Sequence, residues 1–193
     1  SHMVWATGRN ESWVSDGGQS SQEVRVLLDI TSDSDWVRLV DRVSQDGPIN
    51  CVINASGLLH STQVQPERTW RSLDIDMMRA VFDVNTFGVG LAIRHLTPLF
   101  DRASRGVFAS LSARVGSIED NRLGGWYSYR ASKAAQNMFL KCAALEARRL
   151  WPKLIIAALQ PGTVDTALSR PFVRRGRGKT ILSPLDSADH LIA

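Results

Sequence analysis

The stretch CVINASG, residues 51–57, joins a short apolar run to a turn of small and polar residues. The apolar part, Cys51 to Asn54, is too short for a helix and is typical of a strand buried on both faces of a parallel sheet. The Ala-Ser-Gly that follows is typical of a turn. We therefore predict a buried strand that delivers polar residues to its carboxyl end.

Similar apolar runs alternate with amphipathic stretches along the rest of the chain. Further strands are predicted at residues 4–6, 24–29, 107–111 and 154–159. Helices are predicted at residues 32–43, 74–96 and 126–150, with a last one that begins at Ser183 and Pro184. This alternation predicts an α/β fold, a doubly wound parallel sheet of the Rossmann type flanked by helices, whose ligands bind at the carboxyl ends of the strands.

The composition indicates a single globular domain. With 193 residues, 44% of them hydrophobic, the chain can bury a core. Ser1-His2-Met3 is interpreted as the remnant of a cleaved tag, which leaves residues 4–193 as the domain. No apolar run reaches the length of a membrane span and no signal peptide is visible, so we expect a soluble, cytoplasmic protein without a membrane partner. Cys51 and Cys142 are expected to be buried core residues.

Much of the net charge of +4 lies in RPFVRRGRGKT, residues 170–180. A basic run broken by glycines is typical of a solvated loop. We favour a loop that closes over an anionic ligand, and no nucleic-acid partner is expected. His60, His95 and His190 are far apart and lack metal-ligand spacing, so no metal site is expected either.

The stretch YSYRASK, residues 127–133, places Tyr129 and Lys133 four residues apart in a predicted helix, so that they share a face. An ammonium group near a phenol lowers the phenol's pKa from about 10, which makes it a usable general acid or base. An ordinary surface helix can carry the same pair. Its position between a strand that ends in serine and a later Pro-Gly strand end favours the catalytic interpretation.

Five motifs in this order, LLDIT, INASG, VNTFG, YSYRASK and QPGTVDT, resemble the short-chain dehydrogenase/reductase family. GSIEDNRLGGWYSYRASKAAQN and LQPGTVDT look like its bacterial C-factor-like branch, named for cell-cell signalling. The likeness runs from about Val4 to Ala193. It implies hydride transfer between a nicotinamide cofactor and a small carbonyl or alcohol, and a homodimer or homotetramer formed through the helices at 74–96 and 126–150.

The resemblance also implies catalytic roles for four residues. Tyr129 would donate a proton to the carbonyl, and Lys133 would hold the nicotinamide ribose and lower the Tyr129 pKa. Asn85 would seat a water in the proton relay, although a structural hydrogen-bonding role stays open for it. Ser112 is the preferred candidate for the serine that contacts the substrate, with a strand-end cap as its alternative.

Further residues are implied to contact the cofactor. Asn54, Ala55 and Gly57 resemble the family's Asn-Asn-Ala-Gly turn, with Ala55 in place of the second Asn; a plain turn is the alternative. Asp29 resembles the acid that meets the adenine, and Ile30 would lie beside the ring.

Two other strand ends are implied to bind the same cofactor. The segment implied to fix the nicotinamide amide comprises Pro161, Gly162, Thr163, Val164 and Thr166. Arg9 ends the first predicted strand, where an arginine pairs with a 2′-phosphate, so NADP(H) is favoured over NAD(H). A solvent-facing arginine in a polar turn is the alternative for Arg9.

One departure from the family concerns the catalytic serine. The spacing to Gly116 puts Ala113 at that position, and loss of one such donor costs on the order of 10²–10³ in rate. Ser110, Ser112 or Ser117 would compensate if the loop is shifted. The departure also supports a second hypothesis, a catalytically impaired relative that acts in cell-cell signalling or protein interaction.

The other departure concerns the family's glycine-rich turn. Thr7-Gly8 has no second glycine at the right spacing, residues 10–22 lack a helical apolar period, and Gly17-Gly18 reads as part of a polar loop. We therefore expect the family's central first strand, and the end of its fold, to be missing. A chain that was cut, a naturally short product and completion of the sheet by a partner chain are the alternatives.

Overall fold

Five parallel strands carry the fold in the computed structural model, which describes residues 3–16, 20–173 and 180–192. The strands are β1 (Val4–Gly8), β2 (Glu23–Leu27), β3 (Cys51–Asn54), β4 (Gly106–Leu111) and β5 (Leu154–Leu159). The helices are α1 (Glu11–Ser15), α2 (Asp33–Val43), α3 (Ile75–Phe82), α4 (Gly88–Leu96), α5 (Tyr127–Leu150) and α6 (Pro184–Ile192). The predicted α/β class, with parallel strands flanked by helices, is confirmed.

The described strands form two sheets, β1-β2 and β3-β4-β5. In the larger sheet Asn54 pairs with Ser110, and Leu111 pairs with Leu159. This register brings the carboxyl ends of three strands to one edge, where α5 packs. In the described part of the chain, no strand joins the two sheets by backbone hydrogen bonds.

One apolar core joins the two sheets. It contains Val26 of β2, Trp36 of α2, Val89 of α4 and Phe108 of β4, each no more than 6% exposed. Gly88 permits this packing, because a β-carbon at that position would lie 2.8 Å from Ile30 Cγ1. Among the described helices, none combines the length and apolar character needed to cross a membrane.

Three features differ from the sequence-based expectations. The predicted helix at 74–96 is interrupted by a π-helical turn at Asp83–Phe87. Residues 10–22 contain the short α1, whose first turn is capped by the Asn10 side chain and which is too short to show an apolar period. Cys51 and Cys142 are exposed, not buried. Cys51 shares a sheet face with Ile53, which is 57% exposed.

Some expectations lie outside the described residues. They concern the first two residues of the tag remnant, Gly17 and Gly18, and the basic residues Arg174, Arg175, Arg177 and Lys179. Arg170, which begins the same basic run, is described and forms an ion pair with Asp165 at 2.6 Å.

Candidate active site

Tyr129 lies in the first turn of α5 and is only 8% exposed. Its ring packs edge-on against Trp126, with 6.2 Å between the ring centroids. Within the described part of the chain, its hydroxyl forms no hydrogen bond. A buried phenol whose hydroxyl lacks a protein partner is available to a ligand.

Lys133 lies one turn further along α5, with its side chain turned towards β4. Its Nζ donates to the Leu111 carbonyl at 2.9 Å and to Gln136 Oε1 at 2.8 Å. Nζ is also 6.0 Å from the centre of the Tyr129 ring. An ammonium group has three donors, so these two bonds leave one for a ligand.

Burial shifts the pKa values of both residues against their charged forms. It lowers the pKa of Lys133 to about 8 and raises the pKa of Tyr129 above its usual value. The second direction is opposite to the expected lowering by Lys133. The physical reason is that burial desolvates the phenol and so disfavours its charged form.

Asn85 is fully buried in the π-helical turn and fastens the segment after β3. Its Oδ1 accepts from the Leu58 amide and its Nδ2 donates to the Leu58 carbonyl, both at 2.8 Å. Nδ2 also donates to Ser132 Oγ at 3.0 Å. These bonds support the structural role for the Asn85 side chain, while its part in a water relay stays a prediction.

Gly57 lies beside these groups on the exposed side of the turn. A β-carbon at Gly57 would be 3.7 Å from Asn85 Oδ1 and 3.9 Å from Lys133 Nζ. Ala55, also exposed, precedes it. The turn therefore leaves an open approach to Lys133 from the side of β3.

A chain of buried side chains connects β3, β4 and α5. Asn54 Nδ2 donates to Ser110 Oγ at 3.0 Å, and Gln136 Nε2 donates to the same oxygen at 2.9 Å. Gln136 in turn accepts from Lys133, and neither Ser110 nor Gln136 is exposed. The ends of two strands therefore help to hold the Lys133 ammonium in place.

Ser112 is directed elsewhere. Its hydroxyl donates to Asn137 Oδ1 at 2.7 Å, and its amide donates to the Leu159 carbonyl at 2.7 Å. With Ala113 it lines an open cavity of about 210 Å³. The Ser112 hydroxyl is therefore bonded to α5 through Asn137, and both of its predicted roles, substrate contact and strand-end cap, stay predictions.

The three residues predicted to bind the adenosine end lie at the ends of β1 and β2. Arg9 is exposed directly after β1. Asp29 Oδ1 accepts from the Thr31 amide at 2.9 Å and from its hydroxyl at 2.8 Å. The Ile30 side chain is buried against Gly88, so a ring placed beside it would contact little of that side chain.

The segment after β5 is fixed to the residues that precede α6. Gly162 has a left-handed backbone (φ +76°), which explains a glycine there. The Thr163 carbonyl accepts from the Leu182 amide at 2.9 Å, and Val164 forms a parallel bridge with Leu182.

Two further backbone carbonyls after β5 accept hydrogen bonds. The Pro161 carbonyl accepts from the Ser187 hydroxyl at 2.9 Å. Thr166 begins the turn that follows, where its carbonyl accepts from the Arg170 amide.

This arrangement agrees with a comparison to known families. The sequence model of the short chain dehydrogenases matches residues 4–175. The chain belongs to the short-chain dehydrogenase family. It is 32% identical over 148 residues to the 1-hydroxy-2-glutathionyl-2-methyl-3-butene dehydrogenase of Rhodococcus sp. (strain AD45). The 148 aligned residues cover 75% of this chain and 60% of that protein. The chain thus spans less than two thirds of that relative.

Two further relatives agree with this assignment. The C-signal protein of Myxococcus xanthus is 30% identical over 129 residues, which are 65% of this chain and 71% of that protein. A short-chain dehydrogenase/reductase from Burkholderia multivorans with bound NADP shares the fold, with a TM-score of 0.81 and 24% identity over 99% of this chain and 78% of that one.

In this short-chain dehydrogenase, two buried polar residues at the site were not found from the sequence. Gln136 contacts Lys133, and Glu67, 4% exposed, contacts Ser128 at the start of α5. Gln136 carries a usable signal, because it lies three residues after Lys133 and hence on the same helix face. Glu67 lies in a loop, where no local pattern marks it.

Proposed function

We propose that this short-chain dehydrogenase is an NADP-preferring oxidoreductase that transfers hydride between NADP(H) and a small carbonyl or alcohol. The observation that carries the proposal is the hydroxyl of the buried residue Tyr129, which has no hydrogen-bond partner in the described residues. Lys133, with one donor uncommitted, lies on the same face of α5. A phenol in this setting can act as the general acid for a carbonyl oxygen.

The residues at the strand ends fit a nicotinamide cofactor. The exposed Gly57 leaves room beside Lys133, whose remaining N–H can bond a ribose hydroxyl, and the exposed Arg9 can pair with a 2′-phosphate. Asn54, held by Ser110, fixes the turn that carries Gly57. A bound NADPH supplies the hydride.

The chain's own residues handle the proton. Tyr129 donates it to the carbonyl oxygen of the substrate, and Lys133 orients the ribose. Asn85 keeps the loop after β3 in place through Leu58 and seats the relay water. Ser112 contributes to substrate binding only if it exchanges its bond to Asn137 for one to the carbonyl.

The test is oxidation of NADPH by the purified protein with a panel of ketones and aldehydes, followed by its absorbance. Tyr129→Phe is expected to reduce kcat by about 10² to 10⁴, because it removes the general acid. Tyr127→Phe is the matched control on the same helix turn, since Tyr127 is 36% exposed, and it is expected to keep full activity. Absence of saturable NADPH binding would refute the proposal.

A second candidate is a signalling or interaction protein without turnover. It is favoured by Ala113, whose methyl group cannot donate to an oxyanion, by the bond from Ser112 to Asn137, and by the likeness to the C-signal protein. It predicts a biological signal that Tyr129→Phe and Lys133→Ala leave unchanged. Loss of the signal in both variants would exclude it.

Association through the long helices is also part of the proposal. Phe87, in the π-helical turn between α3 and α4, is 52% exposed. Met138 and Phe139, both on α5, are 63% and 42% exposed. Association through these helices would cover such exposed apolar side chains. Phe139→Glu is expected to shift a dimer or tetramer to monomer in gel filtration. A wild-type chain that is monomeric at micromolar concentration would contradict this.

A further inference from the structure

Glu67 is a buried carboxylate in the loop between β3 and α3. It is 4% exposed, and its Oε2 accepts from the Ser128 amide at 3.2 Å. Its Oε1 accepts from the Ser128 hydroxyl. These contacts join residues that are 61 positions apart in the sequence. Ser128 directly precedes Tyr129, so the loop is fastened to the helix turn that carries the phenol.

The start of α5 needs such a partner, because its own cap residue provides none. Trp126 occupies the cap position with a left-handed backbone (φ 52°) and makes no side-chain capping bond. Asn, Asp or Ser at this position would normally accept from the amide two or three residues later. Here Glu67 takes the Ser128 amide, and its backbone carbonyl takes the Trp126 amide at 2.5 Å.

The amino-terminal end of α5 also compensates the negative charge of Glu67. Among the ion pairs of the described residues, none involves Glu67. A buried carboxylate requires compensation by hydrogen bonds or positive charge. The amino-terminal end of the 24-residue α5 supplies both, through the Ser128 amide and the positive end of the helix dipole.

We propose that Glu67 is a positioning residue for Tyr129: by capping α5 from a distant loop, it holds the phenol at the place where a carbonyl is protonated. The inference rests on the proposed function. Glu67 contacts neither Tyr129 nor Lys133 by hydrogen bond and acts through Ser128. The first turn of a helix frays most readily, and a displacement of about 1 Å of a reacting group can cost about 10²-fold in rate.

The experiment compares Glu67→Ala and Glu67→Gln with Asp74→Ala. Asp74 caps α3 by accepting from the Asp76 and Met77 amides, so its loss removes a comparable cap away from Tyr129. Hydrogen exchange is followed at Arg130, whose amide donates to the Trp126 carbonyl at 2.9 Å in the first turn of α5. kcat and the Kd of NADPH are measured on the same proteins.

Glu67→Ala is expected to speed exchange at Arg130 at least about 10-fold and to lower kcat at least about 10-fold, with the Kd of NADPH within about twofold. Glu67→Gln, which keeps an acceptor for the Ser128 amide, is expected to recover most of both. Asp74→Ala is expected to leave kcat and Arg130 exchange unchanged.

Two results would overturn the inference. They are unchanged Arg130 exchange in Glu67→Ala, and a kcat that falls no more than in Asp74→Ala despite faster exchange. A wild-type chain without turnover would refute the proposed function instead, and Arg130 exchange would still decide whether Glu67 caps α5.

Discussion

Side-chain hydrogen bonds at the carboxyl end of the three-stranded sheet join distant parts of the chain, whereas those of Asp29 just after β2 join near neighbours. Asn54 bonds Ser110 across 56 residues and Gln136 bonds Ser110 across 26. Asp29, at the end of β2, bonds Thr31 two residues away, and Arg9 is exposed. Distant contacts therefore order the polar side chains at the proposed proton-transfer end, whereas a local turn orders Asp29 at the proposed adenosine end.

The strongest way to break this comparison is to remove the packing beneath the proton-transfer end. Phe108 of β4 is fully buried, and Phe108→Ala is expected to lower the free energy of unfolding by about 3 to 5 kcal/mol through the cavity it leaves. Trp13 of α1, half-buried over Gly8 and Arg25, is the counterpart in the two-stranded region. Trp13→Ala is expected to cost about 1 to 2 kcal/mol. Urea unfolding measures both, and equal losses would contradict the comparison.

The second prediction uses the burial of Lys133. Its pKa of about 8 in the folded chain lies below the ordinary value of 10.5, so between these values the unfolded chain binds more protons. The contribution of Lys133 to the free energy of unfolding therefore rises with pH through this range. Relative to Lys133→Met, the wild type is expected to gain about 1 to 3 kcal/mol from about pH 7.5 to about pH 10. A difference that stays constant with pH would show that Lys133 is not desolvated.

The third prediction concerns the partner of Lys133. Gln136→Leu removes the donor to Ser110 and one of the two acceptors of the ammonium, which keeps only its bond to the Leu111 carbonyl. We expect kcat to fall about 10-fold, with the fold retained. We also expect a shift in the midpoint of the pH–rate profile. Lys141→Ala, an exposed change on the same helix, is expected to have no effect. Unchanged kcat and pH profile in Gln136→Leu would contradict a role in holding Lys133.

The fourth prediction concerns the end of the two-stranded sheet. Arg9→Ala removes an exposed cation that we propose pairs with the 2′-phosphate, and it is expected to weaken NADPH binding by about 10-fold. The affinity for NADH provides the internal control and is expected to stay the same. Fluorescence titration with both cofactors measures this. Equal weakening for both would show that Arg9 does not distinguish the two cofactors.

The sequence predicts what depends on local patterns. The strands at 51–54 and 154–159 follow from apolar runs, and the pairing of Tyr129 with Lys133 follows from helical spacing. The π-helical turn was missed because a shift of one hydrogen bond leaves the apolar period over residues 74–96 nearly continuous. The exposure of Cys51 was missed because an apolar run does not reveal which of its faces a helix covers.

The contacts around the site could be predicted less well than the elements that carry them. Glu67 and Ser128 are 61 residues apart, and one sequence does not show which distant residues meet. The direction of the Tyr129 pKa shift required the same knowledge, because it depends on how deeply the fold buries the phenol.

The π-helical turn at Asp83–Phe87 has a consequence for how this segment tolerates changes in length. A π-helical turn holds one residue more than a regular α-helical turn, so deleting one residue there would let α3 continue into α4 as a regular helix. The two helices would keep their relative orientation, and Val89 and Ala92, each 1% exposed, would stay in the core. A one-residue deletion within α4 itself would instead rotate the residues on one side of it by about 100° relative to the other side. We therefore expect a one-residue deletion within residues 83–87 that spares Asn85 and Thr86 to keep the fold, whereas a one-residue deletion in the middle of α4 is expected to abolish folding.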